Sequence, residues 1–452
     1  MRLTFLGATR TVTGSKYLLD TGSRQVLFDC GLFQGLKPLR ERNWTPLPID
    51  PQAIDAVVLT HAHLDHSGYV PLLVKSGFRG PVFCTRATRD LCAILLPDSG
   101  HLQEEEAERA NRYGYSKHHP ALPLYGETDA IQAMHSFRPL PYGEEFDLGD
   151  GIRARFDNAG HILGAAFVTV KRGGTTIVFS GDLGRPVDPI LYSPVRIPRA
   201  DVLLVESTYG NRDHPDIDPS LAFAAIVRRT AARGGTVVIP ANAVGRSQLV
   251  MFYVHALKQA NQIPDIPVFL DSPMAADATA LFHAHHEDHK LDEAETSRIF
   301  GATRIVNSVE ESKSIDRSDL PKIVISASGM ATGGRVLHHL KAFASDAKNT
   351  VLFVGYQAAG TRGSAMLGGA ERIRIHGGDV PIEAEVAVLD GLSAHADALE
   401  ILDWLSGFDA APRSTYIVHG EPAAADALQE RIRGRLGWTT HVPEYREVIT
   451  IS

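Results

Sequence analysis

The sequence predicts an α/β protein of more than one domain, on three observations. Short apolar runs rich in Val, Ile and Phe recur, each followed by a Gly-rich or polar turn and then a longer amphipathic segment. The 452 residues exceed what one core of roughly 100–200 residues holds. Near residue 220 the rhythm changes, from strands close enough to pair as hairpins to a regular strand–helix alternation.

Taken in order, residues 2–6, 17–19, 26–29, 56–60, 82–84, 152–156, 167–171, 175–180 and 201–206 read as strands, and 69–77, 88–96 and 103–113 as helices. The alternation then gives helix 220–233, strand 236–239, helix 246–260, strand 267–270, helix 274–287, strand 322–326, helix 334–344 and strand 350–354. That order suits a doubly wound, Rossmann-like unit. After Pro381 short strands return at 385–389 and 415–418, with helices at 397–406 and 423–434. No Gly/Ser linker, low-complexity tract or fixed-period repeat separates these parts, so the domains meet at tight connections.

Composition narrows the class. Hydrophobic residues at 44% and charged residues at 22% are those of a packed globular chain, which excludes a largely disordered or fibrous one. The formal charge of −8 provides no global footprint for nucleic acid, and on charge alone such a partner is disfavoured. Three cysteines, Cys30, Cys84 and Cys92, are too few and too clustered for a disulfide framework. With strand-like sequence from residue 2 and no long apolar stretch, the expectation is a cytoplasmic protein without a membrane partner.

The 20 histidines are the count that stands out, and one cluster carries chemistry. His61-Ala62-His63-Leu64-Asp65-His66 follows the apolar run Val57-Val58-Leu59 directly. In extended backbone, residues two apart share a face, so His61 and His63 can grip one cation while Asp65 and His66, past the bend, face a second. Further candidates stand at the ends of other apolar runs: Asp29 after Val26–Phe28, Asp182 after Ile177–Phe179, Glu206 after Val202–Val205, and His419 after Tyr416–Val418. In α/β sheets ligands gather outside the carboxyl ends of strands, so these groups are expected to converge on one edge.

His61, His63, Asp65, His66, His161 and Asp182 resemble, in order and spacing, the signature of the metallo-β-lactamase superfamily. Glu206 in Glu-Ser-Thr-Tyr-Gly, His395 in Ser-Ala-His-Ala-Asp, and His419 in Val-His-Gly-Glu resemble the three further motifs of its β-CASP family of RNA- and DNA-processing nucleases. The likeness extends over nearly the whole chain and is strongest to bacterial and archaeal relatives of the 73-kDa cleavage and polyadenylation specificity factor subunit. It implies an αββα sandwich, residues 1–207 and 385–452, interrupted by a Rossmann-like β-CASP domain at 208–384. His rather than Val at position 419 points to the RNA-processing branch.

The resemblance also implies roles. One Zn2+ would be held by His61, His63 and His161, a second by Asp65, His66 and His419, with Asp182 bridging and Asp29 buttressing from behind. Asp65, His395 and Glu206 carry the chemistry, His395 as general acid oriented by Glu206. The implied activity is a zinc-dependent ribonuclease, endonucleolytic on single-stranded RNA, with a homodimer left open. A small-molecule hydrolase of the superfamily and a non-catalytic RNA-binding scaffold are the alternatives.

The Gly-rich turn Ser328, Gly329, Thr332, Gly333, Gly334 and Arg335 follows an apolar strand and precedes a helix, a geometry that points backbone N–H groups at an anion. With Arg246 and Arg362 it forms the expected set of contacts to substrate phosphates. His283–His289 imitates the metal motif, but it closes a helix and is expected to be solvated. His118, His119, His338 and His339 are expected at the surface or in packing.

Overall fold

The computed structural model describes residues 1–114, 116–215 and 218–451, the side chain of Asp390 apart. Two compact units emerge: Met1–Asp213 together with His395–Ser452, and His214–Ala394.

The first unit is built on two mixed seven-stranded sheets. One runs in the order Val448–Thr450, Arg2–Phe5, Tyr17–Asp20, Gln25–Phe28, Ala56–Val58, Val82–Thr85, Phe137–Leu140. The other runs Thr440–His441, Ser414–Val418, Val202–Glu206, Thr175–Phe179, Ala166–Arg172, Ile152–Asn158, Glu145–Gly149. Alternation along the strands places Phe5, Phe28 and Val58 of the first sheet against Phe156, Val168, Phe179 and Leu204 of the second in one buried core. The Phe28 and Phe179 rings stack with centroids 4.0 Å apart, an arrangement worth about 0.5–1.5 kcal/mol beyond area burial. The helices Arg86–Tyr113 and Pro422–Leu436 lie against the first and second sheets respectively.

Arg86–Tyr113 is one helix where the sequence reading expects two. Pro97 lies inside it and removes one ladder hydrogen bond. The helix continues because Leu91, Leu95, Leu96 and Ser99 are buried along it, and because Gly100 has no side chain to hold it off the Gly126 backbone.

The second unit carries a parallel six-stranded sheet in the order Arg304–Ile305, Val268–Leu270, Lys322–Ser326, Thr236–Pro240, Thr350–Phe353, Glu385–Val388. This is the expected doubly wound unit, with one correction. Residues 385–388, assigned from sequence to the sandwich, extend the parallel sheet beside Thr350–Phe353. The units accordingly divide at 213/214 and 394/395, later than the 207/208 and 384/385 boundaries read from the motifs. Among the described residues no helix is long and apolar enough to cross a membrane.

Candidate metal centre

Local sequence delivers the ligands to one edge of the first unit. The chain leaves the fully buried strand Ala56–Val58 through Leu59 and Thr60, passes His61, and enters the short helix Leu64–Ser67 at His63. Asp65 and His66 thus occupy the first turn of that helix. His161 follows Ile152–Asn158, Asp182 follows Thr175–Phe179, Glu206 ends Val202–Glu206, and His419 follows Ser414–Val418. Close backbone approach is needed for the loops to meet: a Cβ on Gly31 would lie 1.6 Å from the Asp65 carbonyl oxygen, a position only glycine can fill. Asp29 and His419 adopt positive φ of 55° and 49°. Such backbone costs about 1–3 kcal/mol in a non-glycine residue and persists where its surroundings over-determine it. The His419 N–H donates to the Ala8 carbonyl at 2.7 Å, which is one such determinant.

Two sets of ligand atoms result. His63 Nδ1 lies 3.1 Å from His61 Nε2 and 3.2 Å from His161 Nε2. Nitrogens bound to one tetrahedral Zn2+ at about 2.0–2.1 Å stand about 3.3 Å apart, so the three rings already hold that spacing. In the second set His419 Nε2 lies 3.1 Å from His66 Nε2 and 3.4 Å from Asp65 Oδ2. Asp182 stands between the sets. Its Oδ2 is 3.5 Å from both His61 Nε2 and His161 Nε2, and its Oδ1 is 3.3 Å from His66 Nε2.

The hydrogen-bond network assigns the histidine tautomers. Asp29 accepts from the Thr60 N–H at 2.7 Å, the Thr60 hydroxyl at 2.9 Å and His66 Nδ1 at 2.7 Å. With its hydrogen given to Asp29, the Thr60 oxygen accepts from His61 Nδ1 at 3.1 Å. Thr208 repeats the device at His419: its hydroxyl donates to the His419 carbonyl at 3.3 Å and accepts from Nδ1 at 3.0 Å. Protons fixed at Nδ1 leave the Nε2 lone pairs of His61, His66 and His419 for the centre.

Electrostatics agree with that donor set at His61 and His63, while the carboxylates around His66 favour its charged form. Burial pushes His61 well below the usual imidazole range and His63 down to about 4, and neutral imidazole is the form that binds a metal. Burial works to raise Asp182, but His419, His66 and His61 outweigh it and hold the carboxyl well below its usual range. Burial likewise opposes the ionised form of Asp65, and the His419 hydrogen bond with the His66 charge prevails. At His66 burial works downward, and Asp182 and Asp29 overcome it to hold the ring well above its usual range. The pocket therefore draws in positive charge. The buried Asp182 Oδ1 also has no hydrogen-bond donor among the described residues. On spacing, lone pairs and charge, the residues present fit divalent cations.

Glu206 and His395 adjoin the centre. Glu206 is fully buried, and its Oε1 accepts from the Leu183 N–H at 2.7 Å and from His395 Nδ1 at 3.1 Å. The Thr208 N–H at 3.2 Å holds its other oxygen. The His395 ring lies 4.4 Å from that of His161. Sequence reading missed Thr60 and Thr208. Their only signals were adjacency, Thr60 immediately before His61 and Thr208 two residues after Glu206.

The residues expected to hold phosphate gather in the second unit, at the carboxyl ends of its strands, and several are engaged there with each other. Arg335 donates to the buried Asp271 at 2.6 Å, and Asp271 also binds His339 Nε2 at 2.7 Å. His339 is wholly buried, as a packing histidine should be. Arg362 donates from Nη1 to the carbonyls of Ala331 and Thr332, both at 3.2 Å, and so clamps the Gly-rich turn from within. Ser328 Oγ lies 2.9 Å from Thr332 Oγ1, and Gln357 donates to the Gly329 carbonyl at 3.0 Å. Gly333 and Gly334 complete the turn, Gly334 with φ of +77°. Arg246 opens the helix Arg246–Gln259 and is 8% exposed.

Known proteins share this architecture and its motifs. Residues 24–240 match the beta-lactamase superfamily domain, 247–366 the Beta-Casp domain, and 379–443 a Zn-dependent metallo-hydrolase RNA specificity domain. Ribonuclease TTHA0252 of Thermus thermophilus is 40% identical over 436 residues, 95% of either chain. Transcription termination factor FttA of Methanosarcina mazei is 34% identical, across 96% of this chain and 69% of that protein. FttA of Methanocaldococcus jannaschii is 32% identical, across all of this chain and 72% of its own. A crystal structure of an Enterococcus faecalis protein of unknown function superposes with a TM-score of 0.55 at 13% identity, covering 100% of this chain and 99% of that one, which attests the fold alone. A match to an RNA specificity domain leaves no ground for the small-molecule alternative, and a ribonuclease so similar over its full length none for an inert scaffold. With His–Asp clusters and these relatives together, the chain belongs to the β-CASP family of metallo-β-lactamase-fold nucleases, as a metal-dependent hydrolase acting on RNA.

Proposed function

We propose that the chain is a two-zinc endoribonuclease of single-stranded RNA in a reducing, cytoplasmic compartment. The observation that carries the reading is the interlocking of the two ligand sets through Asp182, one oxygen toward each. Three free, buried thiols, Cys30, Cys84 and Cys92, suit the compartment. His61, His63 and His161 would hold one cation, Asp65, His66 and His419 the other, and Asp182 both. Two divalent ions held there would supply Lewis acidity toward phosphate oxygens and a water acidic enough to act as nucleophile near neutral pH.

The chain's own residues do the rest. Asp29, Thr60 and Thr208 keep the ligand lone pairs aimed at the cations. Glu206 accepts the Nδ1 proton of His395, so the proton available for transfer sits on Nε2. As water adds to phosphorus and the P–O3′ bond breaks, His395 gives that proton to the departing 3′ oxygen, leaving 5′-phosphate and 3′-hydroxyl ends. Arg246, Arg335, Arg362 and the turn at Ser328, Gly329, Thr332, Gly333 and Gly334 are proposed to bind substrate phosphates.

His395→Ala should retain both metals, measured by elemental analysis, and lose about 10²–10⁴-fold in cleavage rate, the usual worth of a general acid. Loss of metal with the activity would remove His395 from that role. A circular RNA offers no ends, so its linearisation by the wild-type protein, abolished by chelator, tests endonuclease action. Cleavage of linear RNA alone would sink that part.

A further inference from the structure

The first unit carries a cationic, aromatic surface that the ligand chemistry does not use. The helix Lys37–Arg42 buries none of its residues, and Trp44 just beyond it is 59% exposed. Trp404 and Trp438, the other two tryptophans, are buried. Arg42 packs its guanidinium 4.2 Å from the centre of the Tyr445 ring, and Arg446 approaches the same ring at 5.4 Å. Arg40 and Arg42 stand on the helix Lys37–Arg42, four and two residues before Trp44. Among the described residues Arg40, Arg42 and Arg446 form no ion pair with a carboxylate, whereas nearby Glu444 is taken by Arg10 at 2.7 Å.

The surface is rigidly mounted and continuous with the metal centre. Asn43 is buried and bonds the Phe33 backbone twice, accepting from its N–H at 2.9 Å and donating to its carbonyl at 2.8 Å. Phe33 lies under Arg42 and against Gly14, where a Cβ would come within 2.5 Å of its ring. The next residue, Ser15, donates its N–H to the carbonyl of Asp65 at 2.8 Å. Only one side chain and one loop therefore separate the guanidinium cluster from a metal ligand.

Guanidinium groups without carboxylate partners among the described residues, packed on a phenol ring and two residues along the chain from an exposed indole, are the chemistry that holds a single-stranded nucleic acid: phosphates on the cations, bases on the rings. We propose that Trp44, Tyr445, Arg40, Arg42 and Arg446 dock the flank of the single-stranded RNA whose scissile phosphate lies at the metal centre. The proposal rests on RNA being the substrate and adds a place for the nucleotides away from the cut.

Trp44 makes the test direct, because it is the exposed indole of the three. Titrating the wild-type holoprotein with a single-stranded phosphorothioate oligoribonucleotide should quench tryptophan fluorescence saturably, and raised salt should weaken the binding. Trp44→Ala should raise KM for a long RNA about tenfold, from the loss of one stacked base, with kcat little changed. Trp44→Phe should restore most of it, and Arg42→Ala with Arg446→Ala should flatten the salt dependence. Hydrolysis of bis(p-nitrophenyl) phosphate, too small to reach this surface, should stay at wild-type rates in all these variants. Unchanged fluorescence and unchanged KM would overturn the proposal while leaving the ribonuclease reading intact, and so would a fluorescence change that follows protein concentration instead of RNA, which marks contact between copies. Loss of activity on the small diester would overturn it as well, by assigning these residues a structural role.

Discussion

Two histidine-rich stretches of nearly the same composition behave in opposite ways. His61–His66 follows a buried strand and ends in a centre where His61 Nδ1 and His66 Nδ1 have assigned partners and His63 Nδ1 stands 3.1 Å from His61 Nε2. His283–His289 closes the helix Pro273–Ala284, and there His283 and His286 are exposed, His285 is half-buried and His289 is buried. His289 is a packing residue: its Nε2 donates to the Phe282 carbonyl at 2.8 Å and its Nδ1 accepts from the Leu291 N–H at 3.2 Å. The expectation of a solvated helix end thus holds for His283 and His286, while His285 is half-buried beside Asp288 and His289 finds main-chain partners of its own. A strand end adds its ligands to those of neighbouring strands, whereas a helix end has none to add to.

Perturbing each stretch should separate them by size of effect. Asp182→Ala removes the one carboxylate both ligand sets share, so it should empty the centre and bring RNA cleavage below detection; elemental analysis and a cleavage assay check this. If one ion remained at full occupancy, Asp182 would not be the bridge. Thr208→Val keeps the shape and deletes the acceptor for His419 Nδ1, and should cost about 10–100-fold in metal affinity or rate, the usual worth of a ligand's supporting hydrogen bond. A metal titration that matched wild type would show that His419 needs no such support.

His289→Ala should leave metal content and cleavage unchanged and lower stability by about 1–3 kcal/mol, the cost of leaving its main-chain partners unpaired, as read by denaturant unfolding. Burial holds His289 below the usual imidazole range, so its protonation favours the unfolded chain. Its contribution is complete above about pH 6.5 and falls as the pH drops below that value, and the alanine variant should lack this part of the acid dependence. His283→Ala with His286→Ala should change stability by no more than about 0.5 kcal/mol and activity not at all. A loss of metal from either of these last variants would make the second stretch a site.

The same contrast explains how much the sequence discloses. His61, His63, Asp65, His66, His161, Asp182 and His419 are legible because metal chemistry admits few residue types and each stands beside a buried strand. Thr60 and Thr208 are not, because threonine is common and its value here lies in which atom its hydroxyl meets. The strand Glu385–Val388 is recognisable as a strand, but an apolar run carries no mark of the sheet it joins. Pro97 suggests a break that burial on both sides overrides. Arginines are the hardest to read, since one guanidinium suits a phosphate, a carboxylate or a carbonyl equally: Arg335 and Arg362 are drawn to partners within their own unit, while among the described residues Arg42 and Arg446 have none of the carboxylate kind.

His419 meets His66 across 353 positions of chain, and Val448–Thr450 pairs with Arg2–Phe5 in the same unit. The proposed ligands for one ion, His61, His63, His161 and Asp182, all precede the second unit in the chain, whereas the other proposed set, Asp65, His66 and His419, is complete only after it. On the proposed assignment, a polypeptide still emerging from the ribosome would carry a half-built centre beside its own messenger and would gain cutting power once nearly all of it had been synthesised. A chain stopped before residue 414 should show this by lacking the second ion.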